Sequence, residues 1–307
     1  MGGECAGVPV VAAYAGDFAI WDGHVYFVES NALKRIGVSG GAVEVLAAVP
    51  AYAGNRAEVL ADATGAYVLS WDPKHGSLRR VPLHGGAPVV LATHLHEPSQ
   101  LVADATHLYW VNSWDSHEPA SGRGRICRVS RTGGAVEVVA AEQFLPVHLV
   151  VDGPDVYFES VADILRVPKR GGSVRVVFGE PRDRSDPVEF LRQRTTWTSS
   201  WYGLSVGIAV DASSVIFARD RGTSSLIGAV SKTGDPPRVL VGGQHRIRSF
   251  TTDDDNLYWG LDGAIWTRPK VGGEPRRLVA ADSPRKLRVD GAAVYWNESS
   301  RIARVAK

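Results

Sequence analysis

The sequence predicts an all-β fold made of repeated hairpins, and three observations support this prediction. An aromatic or β-branched residue recurs at the centre of short apolar runs along the whole chain. An aspartate stands a few residues before most of these positions, and a pair of glycines follows most of them. The chain contains 33 Gly residues, and Gly doublets between apolar runs are typical of tight hairpins.

The recurring position, which we call the anchor, lies in runs of the form Val/Leu-Tyr-Trp/Phe at spacings of 41, 42, 48, 59, 42 and 37 residues. The anchors are Tyr26, Tyr67, Tyr109, Tyr157, Ile216, Tyr258 and Tyr295. Six of them have an Asp five residues earlier, namely Asp62, Asp104, Asp152, Asp211, Asp253 and Asp290. Asp22 stands four before Tyr26. Because an Asp carboxylate accepts hydrogen bonds from nearby backbone N–H groups, this recurrence favours turns over catalysis.

Most anchors are followed by a further strand, a polar turn with two glycines, and a last apolar strand. Two of the copies read LKRIGVSGG-AVEVLAA and ILRVPKRGG-SVRVVFG. Glycines supply the positive φ that tight hairpins need. Every unit therefore has four short strands, and a unit of about 40–50 residues has the length of one β-propeller blade.

The two ends of the sequence complement one another. Residues 301–307 form the third strand of the last unit, which lacks a fourth, whereas Val8–Ala13 form a fourth strand that lacks its first three. Together they make one blade, and a closed ring removes exposed sheet edges. We therefore predict a single domain over residues 1–307, a seven-bladed β-propeller of four-stranded antiparallel blades, closed by the N-terminal strand. Six blades plus an irregular region is the alternative, because the fifth unit is the most degenerate.

The repeats LYW…RICRVSRTGG and VYF…ILRVPKRGG resemble those of the YWTD, NHL and TolB-like propeller group, especially bacterial propeller proteins. The resemblance covers nearly the whole chain and implies a propeller. It does not fix an activity, since these folds host lectins, receptors, scaffolds, lyases and hydrolases. The Thr-Asp of the YWTD motif is absent after Trp110, Trp259 and Trp296, and YWTD and TolB relatives usually have six blades.

Composition excludes several classes of function. The net charge is +1, with both signs mixed along the chain, so we expect no nucleic-acid binding. No apolar run reaches transmembrane length. Cys5 and Cys127 are the only cysteines, which excludes a disulfide framework and argues against a cysteine zinc site, so we interpret both as structural.

We expect a monomer without a resident cofactor, with a divalent metal at the central channel as the alternative. The sequence shows no leader, which favours the cytoplasm, or the periplasm or exterior if a leader has been removed.

The inner strands carry the predicted site. Eight residues before each anchor the side chain is apolar, as expected between blades. Nine residues before each anchor the side chain is polar, except in one unit, where the residue is glycine. Because side chains alternate along a strand, these polar side chains should face the central channel. This predicted polar ring consists of Asp17, Glu58, Gln100, His148, Gly207, Ser249 and Lys286, with Arg288 facing the same way. A concave surface with convergent polar groups predicts a ligand site, and solvation of a water-filled channel is the alternative.

Two functions are compatible with this ring. The first is a binding or scaffold module that engages a peptide, a carbohydrate or another small ligand at the rim and channel mouth. The second is a lyase or hydrolase with His148 as general base and Glu58 or Asp17 as its partner, which resembles the lyases and lactone-opening enzymes built on propellers.

Four tryptophans are candidates for ligand contact, either by stacking on sugars or by capture of a peptide. They are Trp71, Trp114, Trp197 and Trp201, the last two in the insertion 180–203 between blades four and five. Packing against blade edges is the alternative. His94 and His96 could ligate a metal, but a solvated loop is the favoured interpretation of this segment. Residues Asp253–Asn256 resemble a calcium loop but lack its Gly and Glu and coincide with the repeat turn, so we interpret them as a turn.

Overall fold

The structure is a computed structural model that describes residues 7–11, 16–50, 57–71, 75–112, 123–160, 163–179, 204–220, 224–233, 235–298 and 301–307. No residue of these ranges is helical, and they form seven four-stranded antiparallel sheets. The fold is therefore a seven-bladed β-propeller, as the sequence predicts. The alternative of six blades and an irregular region is wrong, since the degenerate fifth unit forms a complete four-stranded sheet.

The chain divides into two compact units. The first is formed by Met1–Leu95 together with Ile247–Lys307, and the second by His96–Arg246. Blades 1, 2, 6 and 7 belong to the first unit, and blades 3, 4 and 5 belong to the second.

In the first unit each blade starts from its inner strand. Blade 1 contains β2 (Phe18–Trp21), β3 (His24–Glu29), β4 (Ala32–Gly37) and β5 (Glu44–Ala48). Blade 2 contains β6 (Ala57–Asp62), β7 (Gly65–Ser70), β8 (Gly76–Val81) and β9 (Val89–Leu95). Blade 6 contains β22 (Ser249–Thr252), β23 (Asn256–Leu261), β24 (Gly263–Pro269) and β25 (Arg276–Ala281). Blade 7 contains β26 (Arg285–Val289), β27 (Ala293–Glu298), β28 (Arg301–Ala306) and, at its outer edge, β1 (Val8–Val11).

The second unit follows the same order. Blade 3 contains β10 (Pro98–Ala103), β11 (His107–Asn112), β12 (Arg123–Ser130) and β13 (Glu137–Phe144). Blade 4 contains β14 (Pro146–Asp152), β15 (Asp155–Ser160), β16 (Asp163–Pro168) and β17 (Arg175–Phe178). Blade 5 contains β18 (Leu204–Val210), β19 (Ser214–Asp220), β20 (Ser225–Ser231) and β21 (Arg238–Gln244).

The seventh blade joins the two ends of the chain. Strand β1 pairs antiparallel with β28, with Val8 opposite Arg304 and Val11 opposite Ile302. Val10 and Val11 are buried in a cluster with residues of blades 1 and 7. The predicted composite blade is confirmed, and β1 covers an edge of β28 that would otherwise expose unpaired backbone groups.

The second strand of each blade supplies most of the core. In blade 3, Tyr109 and Trp110 are fully buried. Tyr109 and Val111 pack with Leu149 and Phe158 of blade 4 in one apolar cluster. These strands are apolar on both faces because a neighbouring sheet covers each face, which explains the continuous apolar runs around the anchors.

The glycine pairs act as the sequence predicts. In blade 3, Gly133 and Gly134 have φ of 88° and 126°, a region that glycine adopts without steric cost. The N–H of Gly133 donates to the carbonyl of Ser130 at 2.9 Å. The pair thereby reverses the chain between the third and fourth strands.

Five of the recurring aspartates, Asp62, Asp104, Asp211, Asp253 and Asp290, cap the turns that precede the anchor strands. The Oδ1 of Asp104 accepts hydrogen bonds from the backbone N–H groups of Thr106 and His107, both at 2.8 Å. Its Oδ2 accepts the hydroxyl of Tyr109 at 2.9 Å. The tyrosine bond recurs in blades 6 and 7, from Tyr258 to Asp253 and from Tyr295 to Asp290, each 2.9 Å. The turn interpretation is confirmed, and the hydroxyl bond explains the five-residue spacing from Asp to Tyr.

Candidate functional site

Asp17 of the predicted ring is a buried carboxylate that ties neighbouring inner strands together. It lies directly before β2 and is 4% exposed. Its Oδ2 accepts the backbone N–H of Val59 in blade 2 at 3.3 Å, and its Oδ1 accepts Nη2 of Arg288 in blade 7 at 3.1 Å. Both acceptor atoms thus serve contacts between blades, and Arg288 keeps a half-exposed side chain.

Ser249 is also engaged in the packing of its unit. The side chain is buried, and its hydroxyl donates to the carbonyl of Pro284 at 2.9 Å, which joins blade 6 to blade 7. A Cβ added to nearby Gly260 would lie 2.8 Å from both Pro284 and the Ser249 hydroxyl. The two blades are therefore in close contact at this point.

Gln100, His148 and Lys286 share a backbone feature that the sequence did not reveal. They have φ of 64°, 52° and 50° although none is glycine. Each lies at a β-bulge in an inner strand, where the pairing register shifts and two residues oppose one on the second strand. In each case the following residue, a leucine, is buried.

The bulge changes how the inner strands present their side chains. In a regular strand consecutive side chains alternate between the two faces, and an inserted residue interrupts this alternation. Left-handed backbone costs a residue with a Cβ about 1–2 kcal/mol, so the conformation persists only where the surrounding structure imposes it. Gln100 and His148 are half-buried, and Lys286 is exposed.

Glu58, the other predicted catalytic residue, lies in a regular strand. It is half-buried in β6 opposite Leu69, without a bulge. Glu58 belongs to the first unit and His148 to the second. Their assignment as acid–base partners stays a prediction.

Of the four candidate tryptophans, Trp71 alone falls within the described residues. It follows β7 directly and is half-buried. Trp114, Trp197 and Trp201 lie outside the described residues, as does the whole insertion 180–203. Contact of these side chains with a ligand stays a prediction.

A lysine from the next blade holds the turn carboxylate in three places, and in blades 3 and 6 this contact accompanies a lowered carboxyl pKa. The Nζ of Lys169 in blade 4 lies 2.8 Å from Oδ2 of Asp104 in blade 3, and Nζ of Lys307 lies 2.6 Å from Oδ2 of Asp253. Burial tends to raise the pKa of each carboxyl, but the lysine, backbone N–H and tyrosine donors outweigh it. The pKa of Asp104 falls well below its ordinary value, and that of Asp253 falls to about 2. Charged at neutral pH and surrounded by donors, these carboxylates are unsuited to act as proton donors.

Metal ligands do not converge in the part of the chain that the structure describes. No group of three or more His, Cys, Asp or Glu residues there could hold an ion. His94 is exposed, and its Nδ1 lies 3.0 Å from the hydroxyl of Thr93. Cys127 is buried, and burial raises the pKa of its thiol to about 11, so it is unreactive as a thiolate at neutral pH. Cys5 lies outside the described residues.

A buried ion pair in the second unit is the charged cluster that sequence reasoning missed. Glu159 in β15 and Arg219 in β19 pair through Oε1 and Nη1, and both side chains are fully buried. The hydroxyl of Ser205 in β18 donates to Oε2 of Glu159, and Nη1 of Arg219 lies 3.3 Å from that hydroxyl. The guanidinium also lies 5.0 Å from the ring centroid of Phe217.

This cluster joins blade 4 to blade 5, and its two charged side chains have no access to solvent, so we assign it to structure. When the seven units are aligned on their anchors, the sequence does contain a signal for this ion pair. Two residues after the anchor, Val28, Leu69 and Val111 occupy the position that Glu159 fills in blade 4. A carboxylate at an apolar position predicts a buried partner.

Comparison with known proteins gives the fold. No protein-family model matches the chain, and no curated protein matches it. Among solved structures it is similar to the oligogalacturonate lyase of Vibrio parahaemolyticus, with 12% identity and a TM-score of 0.67 over 97% of this chain and 90% of that chain. It is also similar to a chain of the nidogen/laminin complex, with 15% identity and a TM-score of 0.54 over 74% of this chain and 83% of that chain.

A computationally designed protein, Ika8, matches over the full length of both chains, with 11% identity and a TM-score of 0.61. The sheets described above and these similarities define the class as a seven-bladed β-propeller. Its neighbours include both a protein-complex component and an enzyme. At such identities the likeness shows the fold alone, and the function has to be argued from the residues. Within the described residues there is no helix long and apolar enough to cross a membrane.

Proposed function

We propose that this protein is a binding module that engages a peptide or carbohydrate ligand through Gln100 and His148, the polar residues at the bulges of the inner strands of its second unit. One observation carries the proposal. Gln100, His148 and Lys286 occupy the same repeat position in three blades, and each keeps a left-handed backbone without being glycine. Bulges of this kind are frequent next to functional sites, where they redirect a side chain.

The chemistry of the second unit favours a neutral, hydroxyl-rich ligand. Gln100 and His148 lie at equivalent positions of the inner strands of blades 3 and 4, which are neighbours in that unit. An amide and a neutral imidazole each offer both a donor and an acceptor, a combination that suits sugar hydroxyls. We therefore favour a carbohydrate over a peptide.

The remaining expectations belong to the same proposal. The repeat pattern supports a single domain over residues 1–307 that acts as a monomer. It also supports membership of the YWTD, NHL and TolB-like group and a bacterial source. Of the predicted ring, Asp17 and Ser249 hold blades together through their buried side chains. In this proposal Glu58, Lys286 and Arg288 contribute to the ligand surface of the first unit.

A glycan array followed by calorimetry tests the proposal. We expect the wild type to bind at least one glycan, and Gln100→Gly and His148→Gly each to weaken that binding about tenfold, the value of one good hydrogen bond in a desolvated site. Glycine keeps the left-handed backbone and removes the side chain. His84→Ala is the matched control, because His84 is an exposed histidine in a turn between β8 and β9.

Three outcomes would overturn the proposal. Binding that is unchanged in both glycine variants places the ligand elsewhere. Binding of peptides but not glycans rejects the favoured ligand class. Turnover of a bound glycan or lactone that His148→Gly abolishes supports instead the lyase or hydrolase with His148 as general base, with Glu58→Gln as the companion variant.

A further inference from the structure

A cleft in the first unit lies between blades 1 and 2, away from the inner strands. Its volume is about 440 Å³, which falls within the range of small-molecule sites. The lining residues are Asn31, Ala48, Val49, Pro50, Arg79 and Pro88. Asn31, Ala48 and Pro50 are exposed, so the cleft is open to solvent.

The walls of the cleft are fixed by hydrogen bonds. The N–H of Val49 donates to the carbonyl of Asn31 at 2.8 Å within blade 1. Nη1 of Arg35 in blade 1 donates to the carbonyl of Leu83 in blade 2 at 2.8 Å. Because these bonds hold both blades, the cleft is present before any ligand arrives.

Arg79 is the single charged residue among the described lining residues. Its Nη1 is buried and has no hydrogen-bond partner among the described residues. Burial lowers the pKa of this guanidinium, and no carboxylate among the described residues opposes the effect. A buried cationic donor without an acceptor is costly, since it has lost water and gained nothing in return.

Blade 1 shows how the repeat satisfies a cation at this position. Lys34 stands opposite Phe27 as Arg79 stands opposite Val68, so the two are equivalent. Nζ of Lys34 lies 2.9 Å from Oε2 of Glu29. The residue equivalent to Glu29 in blade 2 is Ser70, whose buried hydroxyl also has no partner among the described residues. Blade 2 has therefore kept the cation of the pair but carries no acid at the matching position.

We propose that this cleft binds a small organic carboxylate, whose negative group pairs with Arg79 and whose apolar body lies against Ala48, Val49 and the two prolines. The ligand carboxylate gives Arg79 the kind of acidic partner that Glu29 gives Lys34 in blade 1. A guanidinium binds a carboxylate through two parallel hydrogen bonds, which makes Arg79 better suited to an external carboxylate than a lysine. The apolar lining disfavours strongly hydrated anions such as inorganic phosphate.

Calorimetry with benzoate and hexanoate, against benzamide and hexanamide of matched shape, tests the proposal. We expect the carboxylates to bind wild-type protein and the amides to bind at least about tenfold more weakly. Arg79→Gln should weaken carboxylate binding about tenfold. Lys34→Gln is the matched control, because it removes the equivalent cation of blade 1, which already has its own acid.

Ser70→Glu provides a second, independent variant. It restores the acid of blade 1 at the matching position, so we expect it to block carboxylate binding and to raise the melting temperature. This variant keeps the proposal testable if Arg79→Gln folds poorly.

The proposal is overturned if neither carboxylate binds, if the amides bind equally well, or if Arg79→Gln binds like wild type. The cleft shares no residue with the bulged inner strands, so its failure and that of the proposed glycan site are independent.

Discussion

Lys169 of blade 4 lies 2.8 Å from the carboxylate of Asp104 in blade 3, so that a residue that caps a turn inside one blade also ties that blade to the next. The same relationship joins Lys307 to Asp253 and Lys232 to Asp152. These contacts connect local turn chemistry to the packing of neighbouring sheets. They also make stability depend on pH.

Stability should fall in acid as Asp253 becomes protonated. Its folded-state pKa is about 2, below the ordinary value of 3.8. The carboxylate therefore stabilises the fold above about pH 4, and this contribution is lost as the pH falls toward about 2. Asp253→Asn should cost about 1 kcal/mol at pH 7, since solvent screens this partly exposed group. It should also reduce the fall of the melting temperature between about pH 4 and pH 2, measured by calorimetry. Asp254→Asn, a change in the adjacent exposed residue, should leave both unchanged.

The ion pair between Glu159 and Arg219 should show strong coupling in a double-mutant cycle. Glu159→Val or Arg219→Leu alone leaves an uncompensated buried charge, so we expect each to cost about 3–5 kcal/mol in urea unfolding. The double variant should recover most of that loss, because Val28, Leu69 and Val111 show that the repeat accepts an apolar residue in place of Glu159. Additive losses would contradict the buried pair.

His148 should tolerate glycine better than a β-branched residue. Its φ of 52° is available to glycine without strain, whereas valine is strongly disfavoured there. We expect His148→Gly to stay within about 1 kcal/mol of wild type, since relief of strain offsets the greater freedom of the unfolded chain. His148→Val should lose about 2 kcal/mol or more. Thermal unfolding checks both, and equal stabilities would argue against the bulge.

Removal of residues 1–11 should destabilise the protein by exposing the edge of β28. The deletion removes the buried side chains of Val10 and Val11 and the pairing of β1 with β28. Burial of one valine contributes about 1.5–3 kcal/mol, so we expect a loss of about 3–6 kcal/mol in urea unfolding. Deletion of residues 1–6 alone leaves β1 intact and serves as the control. A small effect of the longer deletion would contradict closure through β1.

The architecture could be predicted from the sequence because it depends on repetition. Anchors, turn aspartates and glycine pairs are local signals; the first two are visible seven times and the glycine pairs five times. The composite blade followed from two incomplete ends. The hydrogen bond from the Tyr109 hydroxyl to Asp104 could also have been predicted from the repeats, because Asp and Tyr recur in them at a constant spacing.

The candidate site was harder to predict, because it depends on departures from the repeat. Strand alternation assumes a regular register, and the bulges at Gln100 and His148 break it without a glycine to mark the place. The burial of Asp17 depends on Arg288, which lies at the other end of the sequence. The role of Arg79 could not be predicted from the sequence, because it depends on the structural equivalence of Arg79 with Lys34, which pairs with Glu29 in blade 1.

The pairing of β1 with β28 also constrains how the protein is made. During translation β1 is made well before its partner β28. The other blades can form from contiguous sequence as it leaves the ribosome, but β1 has no partner strand until β28 has been synthesised. Assembly of this blade therefore waits for the most distant pairing among the described strands.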